Sequence, residues 1–200
     1  MCGGAVFMAA AIVLSVYNLW DEERAGDAAG LVLEQMAAGA GKTETDVEAA
    51  KTEIPDYILN PDMEMPTEVI DGNAYIGILE IPSLGISLPV ISDWSEAKLK
   101  TAPCRYTGSA YKGNLVIAGH NYKTHLGPIG RLRAGDAVTF TDIDGNVFRY
   151  KTEETQILGA ESVREMTDSE WDLTLFTCTL GGQNRLTVRC RAEKIPEPGI

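Results

Sequence analysis

Only two histidines, His120 and His125, and four cysteines occur in the 200 residues, and no two cysteines are close enough to form a CxxC pair. That scarcity argues against a structural zinc site and against a dense disulfide framework. One Cys104–Cys190 bridge stays conceivable. Basic residues are also few, 17 against 29 acidic, for a net charge of −12. No basic stripe exists, so nucleic acid is not an expected partner. The acids Asp142, Asp144, Glu153 and Glu154 lack EF-hand spacing and read as surface charge rather than a calcium loop. No long amphipathic helix separates the apolar runs after Asp71, which disfavours a parallel α/β sheet.

What charge there is lies unevenly. Residues 21–71 hold 14 acidic and 3 basic side chains, whereas residues 72–200 are nearly balanced. Ahead of the acidic stretch, Cys2 to Trp20 carries no charge at all. Nineteen such residues are about the length of a membrane-spanning helix, and Tyr17 and Trp20 fall where aromatic rings favour the interface. A cleaved signal peptide fits less well, because no basic n-region precedes the run. A buried core helix is the third reading. Asp21, Glu22 and Glu23, offset only by Arg24, do not resemble a cytoplasmic flank, so an N-in anchor with the rest outside is expected. The expected divisions are an anchor over 1–20, a helical extension and acidic linker over 21–73, a β-rich unit over 74–194 and a tail over 195–200. The linker reads as a solvated spacer or, less readily, as a lid docked through Tyr57, Ile58 and Leu59.

From Tyr75 the texture becomes β. Runs at Tyr75–Ile81, Ile86–Ile91, Asn114–Ala118, Ala137–Asp142, Val147–Lys151 and Thr155–Leu158 read as strands, with a short helix after Ser95. Ser162 to Trp171 is a partly helical connection. Short strands at close spacing indicate a small closed barrel or sandwich.

The last hairpin concentrates the chemistry. Thr174-Leu175-Phe176-Thr177-Cys178 and Arg185-Leu186-Thr187-Val188-Arg189 flank a connection with two glycines. In register, Cys178 faces Arg185 with Cβ atoms roughly 4.5–5.5 Å apart. Leu175, Val188, Leu173 and Cys190 fall on the opposite, core face. A thiol beside a cation is biased toward the nucleophilic thiolate. Alone, Cys178 reads as core and Arg185 as a solvated strand residue; the pairing changes that. A nucleophile needs a proton-transfer partner, and His120, at the end of the buried run after Gly119, is the candidate. His125 reads as surface. Arg189 shares the Cys178 face and either binds a carboxylate or is solvated. Asp172 lies six residues from Cys178, about 20 Å along a strand, too far to complete a triad.

At these residues the chain resembles the sortases, membrane-anchored cysteine transpeptidases of Gram-positive bacteria. Thr174–Cys178 matches their TLxTC signature, Ala118-Gly119-His120-Asn121 their histidine segment and Arg185 their arginine, in family order over roughly Tyr75 to Ala192. The resemblance implies an all-β fold, a closed eight-stranded barrel with short helices behind an N-terminal transmembrane helix. It implies Cys178 as nucleophile, His120 as general acid/base, Arg185 as stabiliser of the substrate oxyanion and Thr177 as a supporting residue. The implied reaction cleaves an LPxTG-like sorting signal and passes the protein to a cell-wall or pilin amine through a thioester. No cofactor is implied, and calcium dependence is left open. Partners would be sorting-signal-bearing surface proteins or pilins, an amine acceptor and the membrane. The expected location is the cell membrane, single-pass, with the catalytic unit extracellular. The short stretch between Leu158 and Asp172 speaks against a long helical insertion, although His120-Asn121-Tyr122 is reminiscent of the class that has one; the class is left between B-like and D-like. A hydrolytic cysteine endopeptidase on the same barrel and a non-catalytic membrane-tethered binding module are the alternatives.

Overall fold

The computed structural model describes residues 2–39, 54–167 and 170–193, with side chains of the first helix described from Phe7 to Ala37. The expected tail, 195–200, and residues 40–53 of the expected linker lie outside the described residues.

Alternating apolar positions form strands that roll into a closed barrel. The strands are β1 (Glu68–Ile70), β2 (Asn73–Ile81), β3 (Ile86–Ile91), β4 (Cys104–Thr107), β5 (Leu115–Gly119), β6 (Ala137–Asp142), β7 (Val147–Gly159), β8 (Leu173–Cys178) and β9 (Asn184–Ala192). Their order is β1-β2-β3-β4-β5-β8-β9-β7-β6, and β6 pairs back onto β2. Eight strands therefore close, and β1 is an added edge on β2. The seam depends on Gly77. There β2 bulges, leaves β1 and takes up β6, and a Cβ at Gly77 would sit 2.1 Å from the Thr141 carbonyl oxygen. Only glycine permits that approach. β5 and β8 run parallel; most other pairs are antiparallel.

The interior is filled by Ile76, Leu79, Leu115, Ile117, Phe140, Leu173, Leu175, Val188 and Cys190, so Cys190 lies on the core face as the hairpin register predicted. Cys104 sits in a separate cluster, and both cysteines are free, which removes the conceivable Cys104–Cys190 bridge. Burial pushes each thiol up to about 12. The two expected strands 147–151 and 155–158 are one strand, β7, bulged between Thr152 and Glu154. The short strands β1 and β4 carry too little alternation to stand out in the sequence.

The uncharged run and the helical extension after it are continuous in the N-terminal segment. They form one unbroken helix, α1 (Cys2–Gly39). Asp21, Ala25, Ala29, Val32 and Met36 recur every three or four residues and are buried, a single stripe laid on the barrel. Val32 and Met36 pack with Ile70, Tyr75, Ile91, Ala102 and Cys104. Side chains from Phe7 to Trp20 are exposed all round. Among the described residues no helix is long and apolar enough to cross a membrane.

Residues 54–73 are not a free spacer either. Met65 and Ile70 are buried, and α2 (Asp56–Leu59) docks through Tyr57, which stacks on Tyr111 at 4.7 Å. Tyr57 and Asp172 line one cavity. Asp172 precedes β8, whose other end carries Cys178, so Tyr57 docks at the far end of the barrel and Ile58 and Leu59 stay exposed. The lid reading places this segment at the wrong end.

Candidate active site

The outer face of β7, β9, β8 and β5 reads as rows across the strands. One row runs Gln156, Thr187, Phe176, Ala118; the next runs Glu154, Arg189, Thr174, Val116. Above them, toward the strand ends, lie Leu158, Arg185 and Cys178, Arg185 being the register partner of both others. Gly119 pairs with Thr177, so His120 and Cys178 are the next residues on two parallel neighbouring strands. Their Cα atoms are thus about one strand spacing apart, about 4.8 Å. The structure therefore brings Cys178, His120 and Arg185 to one rim.

Each group is held differently. Cys178 is half-buried and free. Arg185 does not reach out from the hairpin; its Nη1 donates to the Gly182 carbonyl at 2.9 Å and the Asn184 carbonyl at 3.2 Å. It therefore also shapes the turn, where Gly181 and Gly182 adopt φ of 87° and 73°. His120 is half-buried, and its Nε2 has no hydrogen-bond partner among the described residues. Burial lowers its pKa from 6.5, and the Asp21 carboxylate works the other way. Thr177 is 1% exposed and points inward by parity, beneath the Cys178 row, with its hydroxyl also without a partner among the described residues. Gly119 must lack a Cβ, which would meet Leu126 Cγ at 2.5 Å.

Below the rim is a buried apolar cluster of Val116, Ala118, Met166 and Phe176, with Leu99 of α3 (Glu96–Leu99), Tyr106 and Leu158 packed against it. Tyr106 sets its edge on Phe176 at 5.3 Å, and Trp94 in turn on Tyr106 at 5.8 Å. A cavity of about 470 Å³ continues past Trp94 and Tyr106, lined also by Asp93 and Arg105.

Three sequence readings change. His125 is fully buried rather than a surface residue, and burial lowers its pKa to about 4. Arg189 does not lie in solvent: it is 2% exposed and donates to the Met166 carbonyl at 3.1 Å, the Thr174 hydroxyl at 2.9 Å and the Glu165 carbonyl. Asp142 is buried rather than surface charge, accepting from Tyr111 Oη at 2.7 Å and from Asn146. Asp172 accepts from the Ala192 amide at the far end, away from Cys178. Among the described residues no group of three or more His, Cys, Asp or Glu side chains is placed to hold a metal ion.

Two contributors were missed. Tyr122 stacks on His120 with ring centroids 4.6 Å apart, and its hydroxyl donates to Asp21 Oδ2 at 2.5 Å. The aromatic two residues after the histidine was a visible signal for Tyr122. Nothing in the sequence pointed to Asp21, 101 residues away.

A sortase domain family model matches residues 79–193. Sortase A of Listeria monocytogenes is 29% identical over 115 residues, covering 54% of this chain and 51% of that protein. Sortase A of Bacillus anthracis is 28% identical over 152 residues, covering 68% of this chain and 66% of that protein. The chain thus spans between half and two thirds of the length of these curated relatives. A Clostridium perfringens sortase D5 transpeptidase superposes with a TM-score of 0.60 at 18% identity, covering 84% of this chain and 99% of that one. A Clostridium perfringens sortase C, solved with the C-terminal cell wall sorting motif, superposes with a TM-score of 0.57 at 20% identity, covering 84% and 98%. At those identities the structures speak to the fold.

Proposed function

The chain belongs to the sortase family, and we propose that it is a cysteine transpeptidase that cleaves an LPxTG-like sorting signal and joins the released acyl group to an amine. The observation that carries this reading is the register that sets Cys178 opposite Arg185, with His120 at the end of the adjacent parallel strand.

In this reading the Cys178 thiolate attacks the carbonyl carbon of the peptide's Thr–Gly bond. The oxyanion that develops takes hydrogen bonds from Arg185, a contact of the kind that commonly lowers a barrier by a few kcal/mol. His120, as imidazolium, gives its proton to the departing glycine amine, and the C–N bond breaks to leave a thioester on Cys178. An acceptor amine of a cell-wall precursor or pilin then attacks the thioester carbonyl. It loses a proton to His120, and the thiolate leaves. The apolar surroundings of the rim, with Leu158 beside Arg185, suit the apolar residues upstream of the attacked bond. Burial disfavours the imidazolium form of His120, and the Asp21 carboxylate works the other way.

The uncharged start of α1 supports attachment to a membrane. From Phe7 to Trp20 its side chains are exposed around the whole helix, and an apolar helix exposed on all sides belongs in a bilayer. As a sequence, Cys2 to Trp20 is uncharged over about the length a spanning helix needs, which is the basis for placing an anchor there. The barrel then lies outside the cell, where sorting-signal proteins and the wall acceptor are met.

The deciding experiment is mass spectrometry of the protein incubated with an LPxTG-like peptide. Wild type should gain the acyl mass on Cys178 and release it to an added amine. Cys178→Ala should show no adduct and no cleavage; a cleaving Cys178→Ala protein defeats the mechanism. Release to water alone, unchanged by amine, identifies a hydrolase instead.

A further inference from the structure

Arg189 is among the largest fully buried side chains of the protein, and the proposed reaction does not use it. A buried guanidinium is costly unless its N–H groups are satisfied. Its partners show what it is for. Two are main-chain carbonyls, Glu165 and Met166, at the C-terminal end of α4 (Val163–Met166), where a cation is favoured by the exposed carbonyls. A further partner is the hydroxyl of Thr174, on β8. One side chain thus ties the β7–β8 connection to the strand that carries the nucleophile.

The connection needs such a tie. A four-residue helix does not hold itself together in water, and α4 has no side-chain N-cap bond. Its packing contribution is Met166, 2% exposed, which closes over Val116, Ala118 and Phe176. Arg189 grips the carbonyl of that same residue. Arg189 and Thr174 also lie on the outer face shared with Phe176 and Cys178, two register positions below Phe176 and four below Cys178.

We propose that Arg189 is a positioning residue for substrate binding: it pins the 162–167 turn onto Thr174 so that Met166 stays packed on Ala118 and Phe176, beneath the rim that receives the peptide. The proposal deepens the transpeptidase reading and rests on it for its substrate. Arg189 touches neither the reacting atoms nor His120, so its effect falls on peptide affinity. Lysine does not replace it, because one ammonium cannot span two carbonyls and a hydroxyl with the guanidinium's planar fork.

The test uses the full chain as wild type, Arg189→Lys and Thr174→Val. Hydrogen exchange is followed at the Met166 and Thr167 amides, which donate to Ser162 and Val163. Turnover of an LPxTG-like peptide is split into kcat and KM, and Cys178 is alkylated with iodoacetamide. In Arg189→Lys the two amides should exchange about tenfold faster and KM should rise about tenfold, while kcat and the alkylation rate stay within about twofold. Thr174→Val, which spares the arginine, should move exchange and KM the same way by about threefold. It decides the matter if Arg189→Lys does not fold. Wild-type exchange and KM in the folded variant overturn the proposal, as does a fall in kcat at unchanged KM. If wild type turns over no such peptide, the transpeptidase reading fails, while unchanged exchange in the variants rejects the pinning by itself.

Discussion

Tyr122 lies nearly flat on His120, the two rings inclined by 20°. The same tyrosine is bound through its hydroxyl to Asp21, so a residue of the N-terminal helix reaches the proposed general acid through one aromatic ring. Glu22 extends the contact by accepting from the Lys123 amide, and its carbonyl accepts from Thr124 Oγ1 at 3.1 Å. The helix that begins with the uncharged run therefore clamps the loop after β5. Its position and the protonation of His120 are linked.

The link gives a signed prediction for Asp21→Asn. The carboxylate favours the imidazolium, whereas burial disfavours it. Removing the charge should lower the His120 pKa further and leave Arg24, now bound to Asp21 at 2.7 Å, without its counter-charge. An NMR titration of the imidazole should show the downward shift. Tyr122→Phe, which keeps the ring and loses the hydroxyl, should shift it less. An upward shift in Asp21→Asn refutes the coupling.

Burial of His125 sets a pH dependence of stability. Its pKa is about 4 in the folded chain against an ordinary 6.5. Between those values the unfolded chain binds more protons, so stability rises with pH by up to roughly 1.4 kcal/mol per unit and is complete above the upper value. His120, also lowered, adds in the same direction. The melting temperature should fall as pH drops from about 7 to about 5, and His125→Leu should flatten that slope. An equal slope in the variant removes His125 as its source.

For Arg185→Lys, two losses are expected together. Lysine cannot hold both the Gly182 and Asn184 carbonyls that Nη1 now bridges, and it lacks a fork for an oxyanion. Acylation should slow about 10²–10³-fold, the usual effect of removing one oxyanion donor. Single-turnover acylation rates measure this, and a wild-type rate would reduce Arg185 to a turn residue.

Thr177 separates packing from chemistry. Its buried hydroxyl has no partner among the described residues, so Thr177→Val removes a polar group at nearly constant volume. The melting temperature should hold or rise, since an unsatisfied buried hydroxyl carries a penalty of about 1–3 kcal/mol. Acylation should slow at least about tenfold if the hydroxyl supports the site in the reaction. Undiminished acylation makes the hydroxyl dispensable.

Much of the catalytic rim was legible because it depends on local pairing. The hairpin's short connection dictated that Cys178 face Arg185 and that Cys190 turn inward, and both hold. His120 was legible through its place after a continuous apolar run and a glycine. Arg189 was not: strand parity shows which face a residue takes but not what covers that face, and the cover here is α4, some twenty residues earlier in the chain. His125 misled for the same reason, because its polar neighbours Lys123 and Thr124 lie against α1 rather than in open solvent.

The division has a physical cause. Side-chain alternation and turn length act over a few residues, so the sequence by itself determined most of the strands, though not β1 or β4, and the register of the hairpin that sets the thiol opposite the guanidinium. Contacts between distant segments depend on how closed surfaces meet, and one residue's neighbours there are absent from its local pattern. Only the tertiary structure decided that α1 runs unbroken onto the barrel, that Asp21 reaches His120 through Tyr122, and that a buried arginine bonds both the 162–167 turn and β8.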